Sequence, residues 1–232
     1  GGDAYGDISI TDAITLLQHS YERGIRFYDL SNLYGAGRAE VIFGEWLSKL
    51  GKDSATDIEI VSKAGLLPHT GFEMPTDFSL DSLRTEIKRS CIRVGINKLS
   101  IFLLHSPTRQ QLSDLNIEMI CETLKEELLV EQFGISVRSP SDLSVLSFNG
   151  LDWVELNFNL MDMRFLMDEK LGDRLMDNSV KIIARTPLAF GFLTSLGVTD
   201  EQIYRPNSHL RNWSNAQILL WRDGAKKFKE YA

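Results

Sequence analysis

Short apolar or β-branched segments alternate with amphipathic stretches from one end of this chain to the other, and no other feature narrows its fold so far. Six segments read as strands: Arg26 to Ser31, Ile58 to Ala64, Leu99 to His105, Glu131 to Val137, Trp153 to Asn159 and Val180 to Thr186. Between them, helical periodicity predicts helices over Ile10 to Arg23, Arg38 to Leu50, Ser79 to Val94, Asn116 to Leu128, Ser141 to Phe148 and Arg164 to Asn178. A last helix is expected over Asn215 to Tyr231, and Thr11 reads as the N-cap of the first. Strand and helix in turn, with no interior linker, is the pattern of a parallel α/β sheet in one domain spanning 1–232.

The strand ends carry the chemistry. Asp29 lies in RFYDLSNLYG with Tyr34 five positions on, Lys63 ends IEIVSKAG, and His105 ends LSIFLLHSP. In a parallel sheet these carboxyl ends lie side by side at the face where ligands bind. An open doubly wound sheet concentrates such residues at one switch point, whereas a closed (β/α)8 TIM barrel spreads them over successive strands. The second arrangement fits better. A barrel needs eight strands and typically ~250 residues, so with six strands in 232 residues the chain is expected to be short at one or both ends.

Composition excludes several other functions. A net charge of −7 argues against nucleic acid as the main partner, because phosphate binding wants clustered Lys and Arg. No apolar run approaches the ~20 residues of a membrane helix, and no secretion signal is apparent, so a cytoplasmic protein is expected. Cys91 and Cys121 sit in helical patterns without CxxC spacing, and the four histidines show no metal-ligand spacing. No metal is expected.

Two signals have an ordinary reading and a chemical one. Gly35-Ala36-Gly37-Arg38-Ala39-Glu40 follows a strand and opens a helix, as a dinucleotide fingerprint does, but Glu40 stands where that motif has its third glycine. A tight turn with an acidic helix start is the better reading. Asp29 and Lys63 alone could be a salt bridge stapling two strands. Tyr34 and His105 shift the balance. An ammonium near a phenol favours phenolate, so Lys63 is expected to lower the pKa of Tyr34, and His105 could orient a carbonyl oxygen.

At these residues the chain resembles the aldo-keto reductases. GIRFYDLSNLYGAGRAEVIFGEWL is similar to that family's Asp-x4-Tyr-Gly signature, IVSKAG to its lysine strand, and SLRTEIKRSCIRVGINKLSIFLLHSP to its helix-strand-histidine segment. FGISVR, WVELNFNLMD and IIARTPLAFGFLT follow the family's order and spacing. The resemblance implies a (β/α)8 barrel, NAD(P)H-dependent reduction of an aldehyde or ketone to an alcohol, and a catalytic tetrad of Asp29, Tyr34, Lys63 and His105. Tyr34 would be the general acid, Lys63 held by Asp29 would tune it, and His105 would position the substrate.

For the cofactor, the resemblance implies contacts from Ser136, Glu155, Arg185, Pro187 and Leu188, and NADP(H) in preference to NAD(H). Glu155 stands where the family usually has glutamine and accepts but cannot donate when ionised. Arg185 stands where many members stack a tyrosine on the nicotinamide. The resemblance also implies that the six strands are the family's second to seventh, with both ends incomplete. Two alternatives share the fold: a non-catalytic, cofactor-binding regulatory subunit, and an inactive truncated remnant. Phe72, Met74, Phe190 and Trp213 are apolar candidates for the pocket mouth, each with ordinary loop packing as the default reading.

Overall fold

The computed structural model describes residues 8–51, 55–69, 74–195, 197–204 and 208–231. Six strands, β1 (Phe27–Asp29), β2 (Glu59–Ala64), β3 (Leu99–His105), β4 (Val130–Ser136), β5 (Trp153–Asn157) and β6 (Lys181–Arg185), form one sheet in that order. Every neighbouring pair is parallel. Between strands run α1 (Ile10–Glu22), α2 (Arg38–Lys49), α3 (Leu80–Val94), α4 (Arg109–Asp114), α5 (Ile117–Glu126) and α6 (Glu169–Asp177), α1 preceding β1. α7 (Asp200–Tyr204) and α8 (Asn215–Tyr231) follow β6.

The sheet curls. Phe27 on β1 and Trp153 on β5 put their rings 5.6 Å apart, although three strands lie between them in the sheet order. Strand alternation sends Val61, Ile101 and Leu103 to this concave side, where they pack with Phe27, Trp153 and Ile183. The opposite faces of the same strands, including Tyr28, Ile60, Phe102, Leu104, Phe133 and Val154, join Phe43, Trp46, Leu83 and Ile87 of the helices in the main core. Side chains therefore fill both faces of the sheet, as expected for strands reading as nearly continuous apolar runs.

Most elements expected from the sequence match to within a few residues, and the differences have local causes. Ser9, not Thr11, caps α1, its hydroxyl accepting from the Asp12 amide. The helix predicted over Ser141 to Phe148 is a 3-10 turn, Pro140–Val145; it stops where Leu146 becomes extended and Phe148 turns left-handed, with φ 66°. The helix predicted from Arg164 starts at Glu169, because Asp168 accepts from the Leu171 amide and fixes the N-terminus there. α4 is too short to show a period in the sequence, although Thr108 and Gln111 form a capping box at its start.

Two loops shape the face at the carboxyl ends of the strands. Between β1 and α2, Gly35, Ala36 and Gly37 all have positive φ, and the chain enters α2 from a left-handed N-cap at Gly37. Glu40, one turn in, is fully buried: Ser62 Oγ donates to one carboxylate oxygen at 2.7 Å and Arg93 Nε to the other at 2.5 Å. This carboxylate joins α2, β2 and α3, so the ordinary reading of the glycine-rich loop is the correct one. After β6, Phe190, Phe192, Trp213 and Trp221 form a second aromatic core, with Phe192 and Trp213 stacked at 6.0 Å. Phe190 and Trp213 are thus packing residues, Met74 is half-buried, and Phe72 lies outside the described residues.

α2 and α3 pack backbone to backbone at Gly44, where a Cβ would stand 2.6 Å from the carbonyl oxygens of both Arg93 and Val94. In α6, by contrast, a Cβ on Gly172 meets nothing within 4 Å. Gly172→Ala is expected to stabilise the fold by ~0.5–1 kcal/mol through helix propensity. Gly44→Ala should destabilise it by about 2 kcal/mol or more through overpacking, despite the same propensity gain. Urea unfolding midpoints check both, and an unchanged midpoint for Gly44→Ala would contradict the close approach.

Candidate active site

Two strands and one loop meet the Lys63 side chain, and two further strands extend the cluster. It points to the concave side from the end of β2, and its ammonium is fully buried. It pairs with Asp29 of β1 and with Oε2 of Glu155 of β5, the latter at 2.9 Å. Glu155 is equally buried, and its Oε1 accepts from Ser136 Oγ of β4 at 2.9 Å. Arg185 of β6 closes the chain of contacts: its Nη1 lies 3.4 Å from Ser136 Oγ and its Nε 3.6 Å from Glu155 Oε1. The register explains the meeting, since Ser136 pairs with Glu155 and both lie at the same height on adjacent strands.

Tyr34 enters from the β1–α2 loop, with the Lys63 ammonium 5.5 Å from its ring centroid. The His105 ring stands edge-on to it at 6.4 Å between centroids. Tyr34 keeps a third of its surface exposed, and among the described residues its hydroxyl makes no hydrogen bond. His105 ends β3, nearly buried, with Nδ1 3.2 Å from the Ser31 hydroxyl. Ser31 is fully buried two residues beyond Asp29, and its hydroxyl also accepts from the Leu33 amide. Sequence reasoning missed it; its position on the same side of the chain as Asp29 is the signal that could have found it.

The electrostatics follow from burial and charge. Burial works against the Lys63 ammonium, but Asp29 and Glu155 more than offset it and hold its pKa above the usual lysine value. Burial pushes Asp29 up to about 6, with Lys63 pulling it down and Glu155 adding to the rise. A third of the Asp29 side chain still faces solvent, which moderates the shift. Burial and the cations of Lys63, Arg185 and Arg138 lower His105 to about 3, so its ring is neutral.

For Tyr34 the net direction corrects the expectation from sequence. Lys63 does pull the phenol down, but burial raises it more, and Asp29 and Glu155 add to the rise. The two carboxylates satisfy the ammonium that the phenol was expected to command.

The structure thus brings Asp29, Lys63, Glu155, Ser136 and Arg185 into one connected cluster, with Tyr34 and His105 beside it. Pro187 and Leu188 stand apart on an exposed turn after β6 and make no hydrogen bond or ion pair to that cluster among the described residues. The turn has a tight backbone, with positive φ at Thr186, Ala189 and Phe190. Among the described residues no group of three His, Cys, Asp or Glu side chains could hold a metal ion, and no helix is long and apolar enough to cross a membrane. A phenol, a buried ammonium and a neutral imidazole at one open mouth can give up a proton and hold a carbonyl oxygen.

Known proteins share this architecture. The uncharacterized oxidoreductase YqkF of Bacillus subtilis is 28% identical over 184 residues, 78% of this chain and 58% of that protein. The chain therefore spans under three-fifths of that relative's length. The NADH-specific methylglyoxal reductase of Escherichia coli is 26% identical over 95% of this chain and 70% of its own length. Among solved structures, an aldo-keto reductase from Bacillus halodurans in its holo form superposes with a TM-score of 0.72 at 23% identity, covering 95% of this chain and 70% of that one. The likeness in fold identifies the curled wall as part of a TIM barrel. The sequence pattern of the Aldo/keto reductase family matches residues 1–232, and the chain belongs to that family.

Proposed function

We propose that the protein reduces an aldehyde or ketone to the corresponding alcohol with NAD(P)H, reversibly, using Tyr34 as general acid. The observation that carries this reading is the Tyr34 phenol set over a buried ammonium and beside a neutral imidazole at the carboxyl ends of parallel strands. The substrate is read as a small carbonyl compound.

The residues present suit a nicotinamide. On the family resemblance Ser136 and Glu155 would lie at the carboxamide; both are buried and bonded to each other, and the half-buried guanidinium of Arg185 beside them presents a planar face. These three would hold the nicotinamide end, and the turn at Pro187 and Leu188 the adjoining part. When bound, NAD(P)H would supply hydride to the carbonyl carbon. We read NADP(H) as preferred over NAD(H) on the family resemblance, although the name of the E. coli relative makes that protein NADH-specific.

The protein's own contribution is the proton. Tyr34 donates its hydroxyl proton to the carbonyl oxygen as negative charge develops there. Lys63 stabilises the phenolate left behind, and Asp29 holds Lys63. The exposed edge of Tyr34 lets the phenolate recover a proton from solvent. His105 is uncharged, with Nδ1 3.2 Å from the Ser31 hydroxyl; the tautomer that carries its proton on Nε2 can donate to the same carbonyl oxygen.

Absorbance of NADPH and of NADH, followed with a panel of aldehydes and ketones and the full-length protein, tests the reaction and the cofactor preference together. Tyr34→Phe is expected to lose roughly 10²–10⁴-fold in kcat while cofactor binding persists; near-normal turnover would remove Tyr34 from its role. For His105, ring nitrogen NMR should show a neutral imidazole down to about pH 4, well below where an unfolded histidine titrates, near 6.5. The sign for stability follows: the unfolded chain takes up this proton between about 6.5 and 3 and the folded one does not, so this group destabilises the fold as pH falls through that window. A His105 ring titrating near 6.5 would contradict it.

A further inference from the structure

Asp29 and Glu155 both neutralise Lys63, but their surroundings differ. The Asp29 side chain is 34% exposed, whereas that of Glu155 is 1% exposed, against 0% for Lys63. A partner open to water is screened and can exchange its contact for solvent, whereas a partner sealed inside cannot. Glu155 is also held from the side away from Lys63, by Ser136 Oγ at 2.9 Å and by Arg185. The carboxylate that Lys63 cannot lose is Glu155.

We propose that Glu155 is a positioning residue of the reaction: it is the buried counter-ion that fixes the Lys63 ammonium beside Tyr34, and it divides that charge between two carboxylates. This rests on the proposed reduction and assigns Glu155 a task beyond contact with the cofactor. The groups facing the cluster are Asp29 from β1, Tyr34 from the β1–α2 loop, His105 from β3, Ser136 from β4 and Arg185 from β6. Two carboxylates thus meet two cations, so the cluster is neutral as a whole, and the pull of Lys63 on Tyr34 is opposed by both carboxylates.

Two consequences follow. Glu155→Gln keeps the shape but removes one carboxylate, so Lys63 acts more strongly on the phenol and phenolate forms at lower pH. Reduction needs the protonated phenol, so its alkaline limb must move to lower pH by the same amount. Glu155→Asp keeps the charge but draws the carboxylate back from Lys63, so it shifts the phenol in the same direction by less.

The test uses the full-length protein. Phenolate absorbance is titrated in wild type and in Glu155→Gln, each minus its Tyr34→Phe counterpart so that one tyrosine is read, with circular dichroism verifying the fold. The Tyr34 transition should fall by about one to two pH units in Glu155→Gln, as expected for a charge ~6–10 Å away at an effective dielectric of ~20. The alkaline limb of kcat/KM for reduction should fall with it. A folded Glu155→Gln protein whose titration is unmoved, or whose activity drops equally at every pH, overturns the proposal. If Glu155→Gln does not fold, Glu155→Asp decides: a Tyr34 transition below that of wild type supports the sealed counter-ion, and an unmoved one overturns it. A shifted phenol titration in a protein that reduces none of the carbonyl compounds would sustain the Glu155 assignment and reject the reaction.

Discussion

An ammonium with no access to water organises the candidate active face of this protein. Lys63 points into the concave side of the sheet, and an uncompensated charge there is among the most costly features an interior can hold. Its two carboxylate partners come from strands β1 and β5, so compensation requires the sheet to curl. The apolar layer beneath, where Phe27 meets Trp153, draws the same two strands together. Apolar packing and charge neutralisation therefore specify one curvature. Ser136 and Arg185 extend the network to β4 and β6, and the candidate site is the mouth of that curve.

A second buried carboxylate, Glu40, works on the outer side. It binds Ser62, which neighbours Lys63 in β2 but faces the helices, and Arg93 of α3. The glycine-rich turn before α2 lets the chain reverse tightly enough to put Tyr34 over the mouth and Glu40 behind the sheet within six residues. Close approach at Gly44 then fixes α2 against α3. The loop bearing the phenol is thus anchored at its helix end.

Much of this architecture is legible in the amino-acid sequence. The alternation of apolar runs and amphipathic helices points to the parallel α/β class, and β3 and α8 fall on the residues that the periodicity marks out. The inner and outer faces of each strand follow from the two-residue period. The four ionisable positions stand out because they end strands or follow one closely. Helix ends are less legible: Ser9, Thr108 and Asp168 set theirs through single side chain to amide hydrogen bonds that compete with equally plausible neighbours. The packing fate of Phe190 and Trp213 depends on which aromatic rings the later helices bring to them.

The amino-acid sequence by itself determined the fold class, through local periodicity, and the family, through the likeness of its motifs; it singles out Asp29, Tyr34, Lys63 and His105 as candidates because they end strands or follow one closely. Tertiary structure alone decided who neutralises whom. Glu155 lies 92 residues from Lys63, and Ser31 lies 74 from His105, and no spacing rule links either pair. Only the curvature of the sheet places them within hydrogen-bonding distance. It also reverses the expected net shift of the Tyr34 phenol, because a pKa sums burial and every nearby charge, and those are properties of the folded interior.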